Sequence, residues 1–377
     1  MTRPRREPGV DASPGASLPT LGLVGLGLIG GSVARRWRAE GGEVVGYARS
    51  TATRAGAGRA GVWLADSVAE VVGAADIVVL AVPLPALAEV LDQVALAVSE
   101  LDDTPTITDV GSVKGPIALR ARRVLPQPSV FVPGHPMAGT EDAGWEASDE
   151  ALFEATTWAL AVDEPVDLDR WVAVARLVLA LGARVVPVAV HDHDEAVALT
   201  SHLPHVFAAE LAGRVAGEPL AAALAGGSFR DATRVVRGTA SGLGAELVWA
   251  NRGDVAERLD GLVADLAGLR DALRADDEGA VRALFAAPAG AGVDASGVDA
   301  SGVDATGVDA TGVEASELEP VELPLERGAL LALGRRGGRV VGIVERRPGP
   351  YAGGGGPAGH HGPADTTVLA AAPRAVR

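Results

Sequence analysis

The chain contains no cysteine, which excludes both a disulfide framework and thiolate chemistry. Lysine is nearly absent: Lys114 is the only one among 33 basic residues. A bias so complete has a genomic character, and the one exception makes Lys114 a position to follow. Positive charge is in deficit overall, with a net charge of −16 and a pI near 4.9. That balance argues against nucleic acid or an anionic membrane surface as a partner. No run of eighteen apolar residues exists, so no spanning helix is expected. Residues 1–20 carry Arg3, Arg5 and Arg6 without an apolar segment, which excludes a secretory signal. They read as a disordered tail, and a cytoplasmic location is expected.

What is present is a chain of 377 residues, 48% hydrophobic, enough for two domains and tails. Leu21 to Val24 is a short apolar run, followed at once by Gly25-Leu26-Gly27-Leu28-Ile29-Gly30. Ser32 to Glu40 then reads as a helix and Glu43 to Tyr47 as a second strand. Strand, glycine turn, helix and strand are the context a dinucleotide fingerprint requires. The glycines alone are weak. With 49 in 377 residues, about 0.13 cubed times the length gives roughly one chance match. Context decides it, and Gly25, Gly27, Leu28, Ile29 and Gly30 are candidate cofactor-binding residues. Val82 and Pro83, ending the apolar run from Ile77, complete that set. Where NAD enzymes place an acid for the ribose, Ala48 stands, followed by Arg49 and Ser50 with Arg54 further on. That cluster suits a 2′-phosphate, so NADP or NAD is the expected cofactor; the alternative is a solvated, arginine-rich loop.

Further strands are predicted at Thr106 to Val110, Val130 to Val132, Thr157 to Val162 and Ala183 to Val188. The predicted dinucleotide-binding domain covers 21–190. Two stretches beyond its strand ends attract attention. Asp109-Val-Gly-Ser-Val-Lys114 follows one strand. Gly134-His-Pro-Met-Ala-Gly139 follows another and reads as a loop, with His135 as its imidazole. A lone histidine in such a turn is more often a surface residue; its place beyond the strand ends raises its interest.

From His191 the pattern turns helical, and 191–287 is predicted to be an all-helical domain. Asp194, Ala198, Ser201 and His205 share one face of a regular helix, and Pro204 implies a kink. Four histidines here, His191, His193, His202 and His205, fit no known metal pattern, and no metal is expected. Phe229-Arg-Asp-Ala-Thr-Arg234 offers arginines suited to a carboxylate. Residues 288–317 hold five pentads of the Gly-Val-Asp-Ala-Ser type and read as an acidic linker. Residues 318–377 read as a mostly disordered extension with a small hairpin near 321–344, dispensable for folding and activity.

The order Gly-Leu-Gly-Leu-Ile-Gly-Gly-Ser, Asp-Val-Gly-Ser-Val-Lys, Gly-His-Pro-Met-Ala-Gly-Thr-Glu, Ser-His-Leu-Pro-His and Phe-Arg-Asp-Ala-Thr-Arg resembles the prephenate dehydrogenase family, arogenate dehydrogenases included. The resemblance spans about Leu21 to Ala286. It implies an α/β Rossmann-type domain followed by an all-helical domain that forms a homodimer. It implies oxidative decarboxylation of prephenate to 4-hydroxyphenylpyruvate in tyrosine biosynthesis, or the corresponding reaction of arogenate. It implies that His135 takes the ring hydroxyl proton and that Ser112 orients that hydroxyl and His135. Arg234 would bind a substrate carboxylate, Ser201 and His205 would line the pocket, and Thr140 and Glu141 would stand at its mouth. Competing readings are a 3-hydroxyacid dehydrogenase or imine reductase of similar architecture, and a non-catalytic NADP-binding sensor.

Overall fold

The computed structural model describes residues 18–140, 142–236, 242–289, 318–346 and 365–373. The first part alternates strands and helices: β1 (Leu21–Val24), α1 (Leu28–Ala39), β2 (Val44–Tyr47), α2 (Thr51–Arg59), β3 (Trp63–Leu64), α3 (Val68–Ala74), β4 (Ile77–Leu80), α4 (Leu84–Val98), β5 (Thr106–Asp109), α5 (Gly115–Val124), β6 (Phe131–Val132), β7 (Gly134–Pro136), β8 (Thr157–Ala161), α6 (Leu168–Ala180) and β9 (Arg184–Val188). Helices follow: α7 (Val190–Val197), a π-turn (Ala198–His202), α8 (Leu203–Ala216), α9 (Pro219–Ala223), α10 (Gly227–Ala232), a 3-10 turn (Arg234–Val236), α11 (Leu243–Ala250), α12 (Arg252–Arg274) and α13 (Glu278–Ala289). The C-terminal part adds β10 (Leu318–Pro324), α14 (Arg327–Arg335), β11 (Arg339–Arg346) and β12 (Asp365–Pro373).

The first sheet is parallel, in the order β3-β2-β1-β4-β5-β6. Its strands β1, β4 and β5 are buried throughout, as expected of apolar runs covered by helices on both faces. One face packs Leu87, Leu91 and Ile117 against Val78 and Leu80; the other packs Val33 and Trp37 against Leu21 and Leu23. The strand order reverses between β1 and β4, which places a ligand crevice at their carboxyl ends. The helix read from Ser32 begins at Leu28, because the extended Gly27 serves as its N-cap. Residues 18–20, assigned to the tail, are held: the Thr20 amide donates to Asp76 at 2.7 Å and Trp37 Nε1 donates to the Pro19 carbonyl at 3.2 Å.

A second sheet runs β10-β12-β11-β9-β8-β7. Only Pro133 separates β6 from β7, so the chain steps from one sheet to the other immediately before His135. That residue was expected in a loop. It sits instead on a short strand, paired antiparallel with β8 through His135↔Ala159, because β8 offers an unpaired edge there.

The extension also departs from expectation. Instead of being mostly disordered, three strands and a helix continue the second sheet, and β11 meets β9 at Val340↔Val185. Leu330, Leu333, Val340 and Val368 are fully buried in the same core as Trp158, Trp171 and Val185. The apolar residues are spread over short segments split by Gly and Pro. Only pairing with a distant strand gives them a core. The pentads and Glu141 lie outside the described residues. Among the described residues no helix is long and apolar enough to cross a membrane.

Candidate active site

The glycine turn after β1 has the shape its sequence implies. Gly25 has φ +99°, and a Cβ there would collide with the Ala81 carbonyl and stand 3.1 Å from Val82 Cγ1. A Cβ on Gly30 would collide with the Gly25 carbonyl, so α1 can lie this close only without one. A Cβ on Gly27 would meet nothing within 4 Å, which leaves an open cradle over the start of α1. No side chain caps that helix, so its first amides, at Leu28 and Ile29, face the cradle with their donors uncommitted. This fits a dinucleotide pyrophosphate. Val82 and Pro83 close the crevice from the end of β4, where Pro83 caps α4.

At the end of β2 Ala48 is buried, while Arg49 and Ser50 are exposed. Ser50 is partly committed: its hydroxyl accepts the Thr53 amide at 3.3 Å and caps α2. Arg54 points away, donating to the Ala65 carbonyl at 2.6 Å and to Asp66 at 2.8 Å. Of the basic cluster, Arg49 is the cation presented at this corner.

The ends of β5 and β7 are joined by a buried ion pair. Asp109, fully buried, accepts the Gly111 amide at 2.8 Å, the Gly134 amide at 3.1 Å and the Lys114 ammonium. Lys114 Nζ also donates to the Gly134 carbonyl at 2.8 Å. Acid and lysine therefore grip both peptide groups of Gly134, the residue before His135. Burial lowers the Lys114 pKa, and Asp109 opposes that shift. The lone lysine is thus a clamp under the imidazole.

His135 Nδ1 lies 2.9 Å from His193 Nε2, and His193 Nδ1 lies 2.7 Å from Asp194 Oδ1. The Asp194 carboxylate also accepts the Lys114 amide at 2.8 Å and the Gly115 amide at 2.7 Å, at the N-terminus of α5. Burial would raise the Asp194 pKa, but the hydrogen bonds from His193, Lys114 and Gly115 outweigh it and hold the acid ionised. The ionised acid fixes the tautomers. His193 donates from Nδ1 to Asp194, so its Nε2 accepts. His135 must donate from Nδ1, which leaves its Nε2 lone pair free. Burial holds the His135 pKa well below the ordinary value; a proton on His193 would push it the same way, the Lys114 ammonium adds to the shift, and a proton on His202 would add further. The imidazole is a neutral base with one fixed direction.

His202 and Asn251 support this row. Asn251 Nδ2 donates to the Asp194 carbonyl at 2.7 Å and lies 3.2 Å from His202 Nδ1. His202 is fully buried, and burial lowers its pKa to about 4. Asp194, Ala198, Ser201 and His205 do not share one helix face, as expected from regular spacing. The π-turn adds a residue before Pro204, which has no amide to donate, and His202 takes the inward position.

The other expected site residues are dispersed around this row. Ser112 is half-buried between β5 and α5; the side chain hydrogen-bonded to His135 Nδ1 is His193. Ser201 lies half-buried in the π-turn. His205 is half-buried under α11, with Gly244 placed so that a Cβ would be 2.9 Å from its Nδ1. Arg234 is exposed on a 3-10 turn packed against α8, the helix of His205. Thr140 is exposed and donates to the Asp142 carbonyl at 3.3 Å. Sequence reasoning missed Asp109, His193, Asp194 and Asn251 as a group. They come from separate segments, and only the paired acid and histidine at 193 and 194 offered a local signal. Among the described residues no three or more His, Asp or Glu side chains converge as metal ligands.

A nucleotide cradle and a directed imidazole, both following carboxyl ends of strands in the first sheet and backed by a helical region, define a two-part, nucleotide-dependent oxidoreductase. A family model described as the prephenate dehydrogenase nucleotide-binding domain matches residues 33–187, and one described as the prephenate dehydrogenase dimerization domain matches 189–287. Cyclohexadienyl dehydrogenase of Zymomonas mobilis is 35% identical over 68% of this chain and 89% of its own length. Prephenate dehydrogenase of Bacillus subtilis is 31% identical over 68% of this chain and 71% of its own. The solved prephenate dehydrogenase of A. aeolicus, in complex with hydroxyphenyl propionate and NAD+, superposes with a TM-score of 0.65 at 28% identity, covering 73% of this chain and 97% of that one. The chain belongs to the prephenate dehydrogenase family.

Proposed function

We propose that this protein oxidises and decarboxylates prephenate to 4-hydroxyphenylpyruvate with NAD+ or NADP+, and that His135 Nε2 is the base. One observation carries the reading: the Asp194–His193–His135 row engages His135 Nδ1 and leaves Nε2 as its uncommitted nitrogen, just past the carboxyl end of a strand in the sheet whose β1 leads into the glycine turn. The bound nicotinamide supplies the hydride acceptor. Hydride loss from the ring carbon that bears the hydroxyl builds positive charge there. His135 relieves it by accepting the hydroxyl proton, and His193 and Asp194 spread the charge the imidazole gains. Loss of the ring carboxylate as carbon dioxide then leaves its electron pair to make the ring aromatic. Ser112 holds the hydroxyl toward His135. Arg234 and His205 receive substrate carboxylates, with Ser201 lining the pocket and Thr140 and Glu141 at its mouth. The name of the Zymomonas relative supports a parallel use of arogenate, the amino counterpart.

The active form is a homodimer, supported by the dimerization-domain match and by the apolar side chains that the helical region exposes. A biosynthetic reaction on soluble metabolites supports a cytoplasmic site of action. The decisive assay mixes purified protein with NAD+ or NADP+ and either substrate; reduced nucleotide should form with prephenate, arogenate or both. His135→Asn should bind both ligands and lose turnover by about 10²–10⁴-fold. The wild-type acid limb should fall below the ordinary histidine value, because the His135 pKa is depressed, and the variant should lose it. Near-normal turnover with that limb intact would move the base elsewhere, with His205 the first to test.

A further inference from the structure

We propose that the C-terminal module is a positioning brace for His193 and Asp194: α14 and β11 hold the corner between β9 and α7 from which Asp194 reaches His193 and His193 reaches His135. The proposal rests on the reading of His135 as the base. It concerns a part of the chain beyond residue 287, where the family matches end.

The corner is tight. β9 ends at Val188 and α7 begins at Val190, so Ala189 alone joins them. The His193 amide donates to the Ala189 carbonyl at 3.0 Å, which ties the histidine to that joint. Three contacts from the module converge on it. Gly334 of α14 sits against Pro187, so close that a methyl at Gly334 would collide with the Pro187 carbonyl. Leu330 and Leu333, on the same helix, are fully buried in the core that contains Val185. Arg335 Nε meets Asp192 Oδ2 at 2.8 Å, one residue from His193. At the other end of α14, Arg327 donates to the Val162 carbonyl and, at 2.7 Å, to the Val166 carbonyl, beyond the end of β8. β11 covers the edge of β9 at Val340↔Val185.

These contacts differ in weight. The Arg335–Asp192 pair is largely exposed on the arginine side and contributes little alone. The buried leucines and the Gly334–Pro187 approach determine where β9 ends, and so where α7 starts. Hydrogen bonds weaken steeply as angles open, and a misplacement of about 1 Å at a catalytic group costs about 10²-fold. A brace that holds this corner to less than that serves turnover.

The test uses the full chain with Gly334→Ala. Turnover should fall about tenfold, as a sub-ångström shift implies. The KM for nucleotide should stay within about twofold, because the glycine cradle belongs to the first sheet. The Lys114 and Gly115 amides, which donate to Asp194, should exchange hydrogen faster in the absence of any ligand. Should Gly334→Ala fail to fold, Arg335→Ala replaces it. Its turnover should fall about two- to threefold, Arg335→Lys should restore it, and Asp192→Asn should add no further loss. Unchanged exchange at Lys114 and Gly115 in folded Gly334→Ala would overturn the brace whatever residue is the base. Unchanged turnover in Gly334→Ala, or in Arg335→Ala where that replaces it, would overturn it too. A loss in His135→Asn beside unchanged turnover in these variants marks the brace alone as wrong. Silence in His135→Asn marks the reading of the base as wrong.

Discussion

In the nucleotide-binding part, β1, β4 and β5 are buried end to end and two large clusters of apolar side chains fill both faces of the sheet. In the helical part, the buried apolar cluster consists of Ala198, Leu203 and Val255. Its long helix α12 has one buried residue among 23. Leu220, Leu224, Trp249 and Phe285 are each more than 70% exposed. Isolated exposed apolar residues are ordinary, but a set of this size on helices with almost no core is the mark of an interaction face. The first part is complete by itself; the second is half of something. Yet the hydrogen-bonded row crosses between them, with His135 on the complete part and His193, Asp194 and His202 on the incomplete one. The geometry of the proposed base therefore depends on how well the second part is held.

The largest expected effect tests whether the complete part includes the C-terminal module. Removing residues 318–377 strips Leu330, Leu333, Val340 and Val368 from the core. At roughly 1.5–3 kcal/mol for each buried side chain, the loss rivals a total stability of about 5–15 kcal/mol. The truncated chain should be insoluble or melt at least about 10 °C lower in a thermal scan. A truncated protein with an unchanged melting temperature would show that the module only rests on the fold.

A second experiment bears on the incomplete part. Leu224→Glu with Trp249→Glu places charge on its exposed face. Sedimentation should show monomers at micromolar concentration, since burying unpaired charge opposes association by several kcal/mol. NAD(P) affinity, a property of the first part, should change by less than about threefold. A variant that stays dimeric would put the interface on another surface.

The buried histidine between the parts supplies the next effect. His202 has a folded pKa of about 4 against an ordinary 6.5, so the unfolded chain binds the extra proton between those values. Stability conferred by keeping His202 neutral is complete above about pH 6.5 and is lost as pH falls to about 4. The loss is of order 3 kcal/mol at about 1.4 kcal/mol per pH unit. His202→Gln should flatten that part of a denaturation series across pH. An equal slope in the variant would assign the acid sensitivity to His135 or His205, whose pKa values are also lowered.

The contrast between the parts also explains what was legible in the sequence. The runs at Leu21–Val24, Ile77–Leu80 and Thr106–Asp109 announce themselves because a parallel strand is buried on both faces and needs no polar alternation. The glycine turn is legible because φ +99° at Gly25 and the collisions at Gly25 and Gly30 leave no other residue type. His135 stood out for its place after a strand, but its strand pairing did not, since that depends on the edge of β8. The module was misread because its residues find their core only through β9, far away in sequence. Asp109 and Lys114 have no role legible in their motif, because the Gly134 peptide groups they grip lie 25 and 20 residues on. The row through His193 and Asp194 needs the corner at Ala189, and its support by His202 needs a π-turn; no local pattern predicts either.

The smallest expected effect concerns the far corner of the complete part. Ala48 replaces the acid that would hold a ribose hydroxyl, and Arg49 is exposed beside it. Ser50 spends its hydroxyl on the α2 cap, and Arg54 is tied to Ala65 and Asp66. Any discrimination in favour of a 2′-phosphate therefore falls on one solvated arginine. A charge-assisted hydrogen bond is worth about 1.5–3 kcal/mol when sheltered and less in water. Arg49→Ala should raise the KM for NADP+ roughly tenfold at most, leave NAD+ within about twofold, and lose most of its effect at high salt. NADP+ should serve the wild-type protein at least as well as NAD+. An equal loss for both nucleotides would mean that Arg49 steadies the β2–α2 corner rather than reading the phosphate. Preference would then rest on the missing carboxylate at Ala48, which Ala48→Asp would test by favouring NAD+.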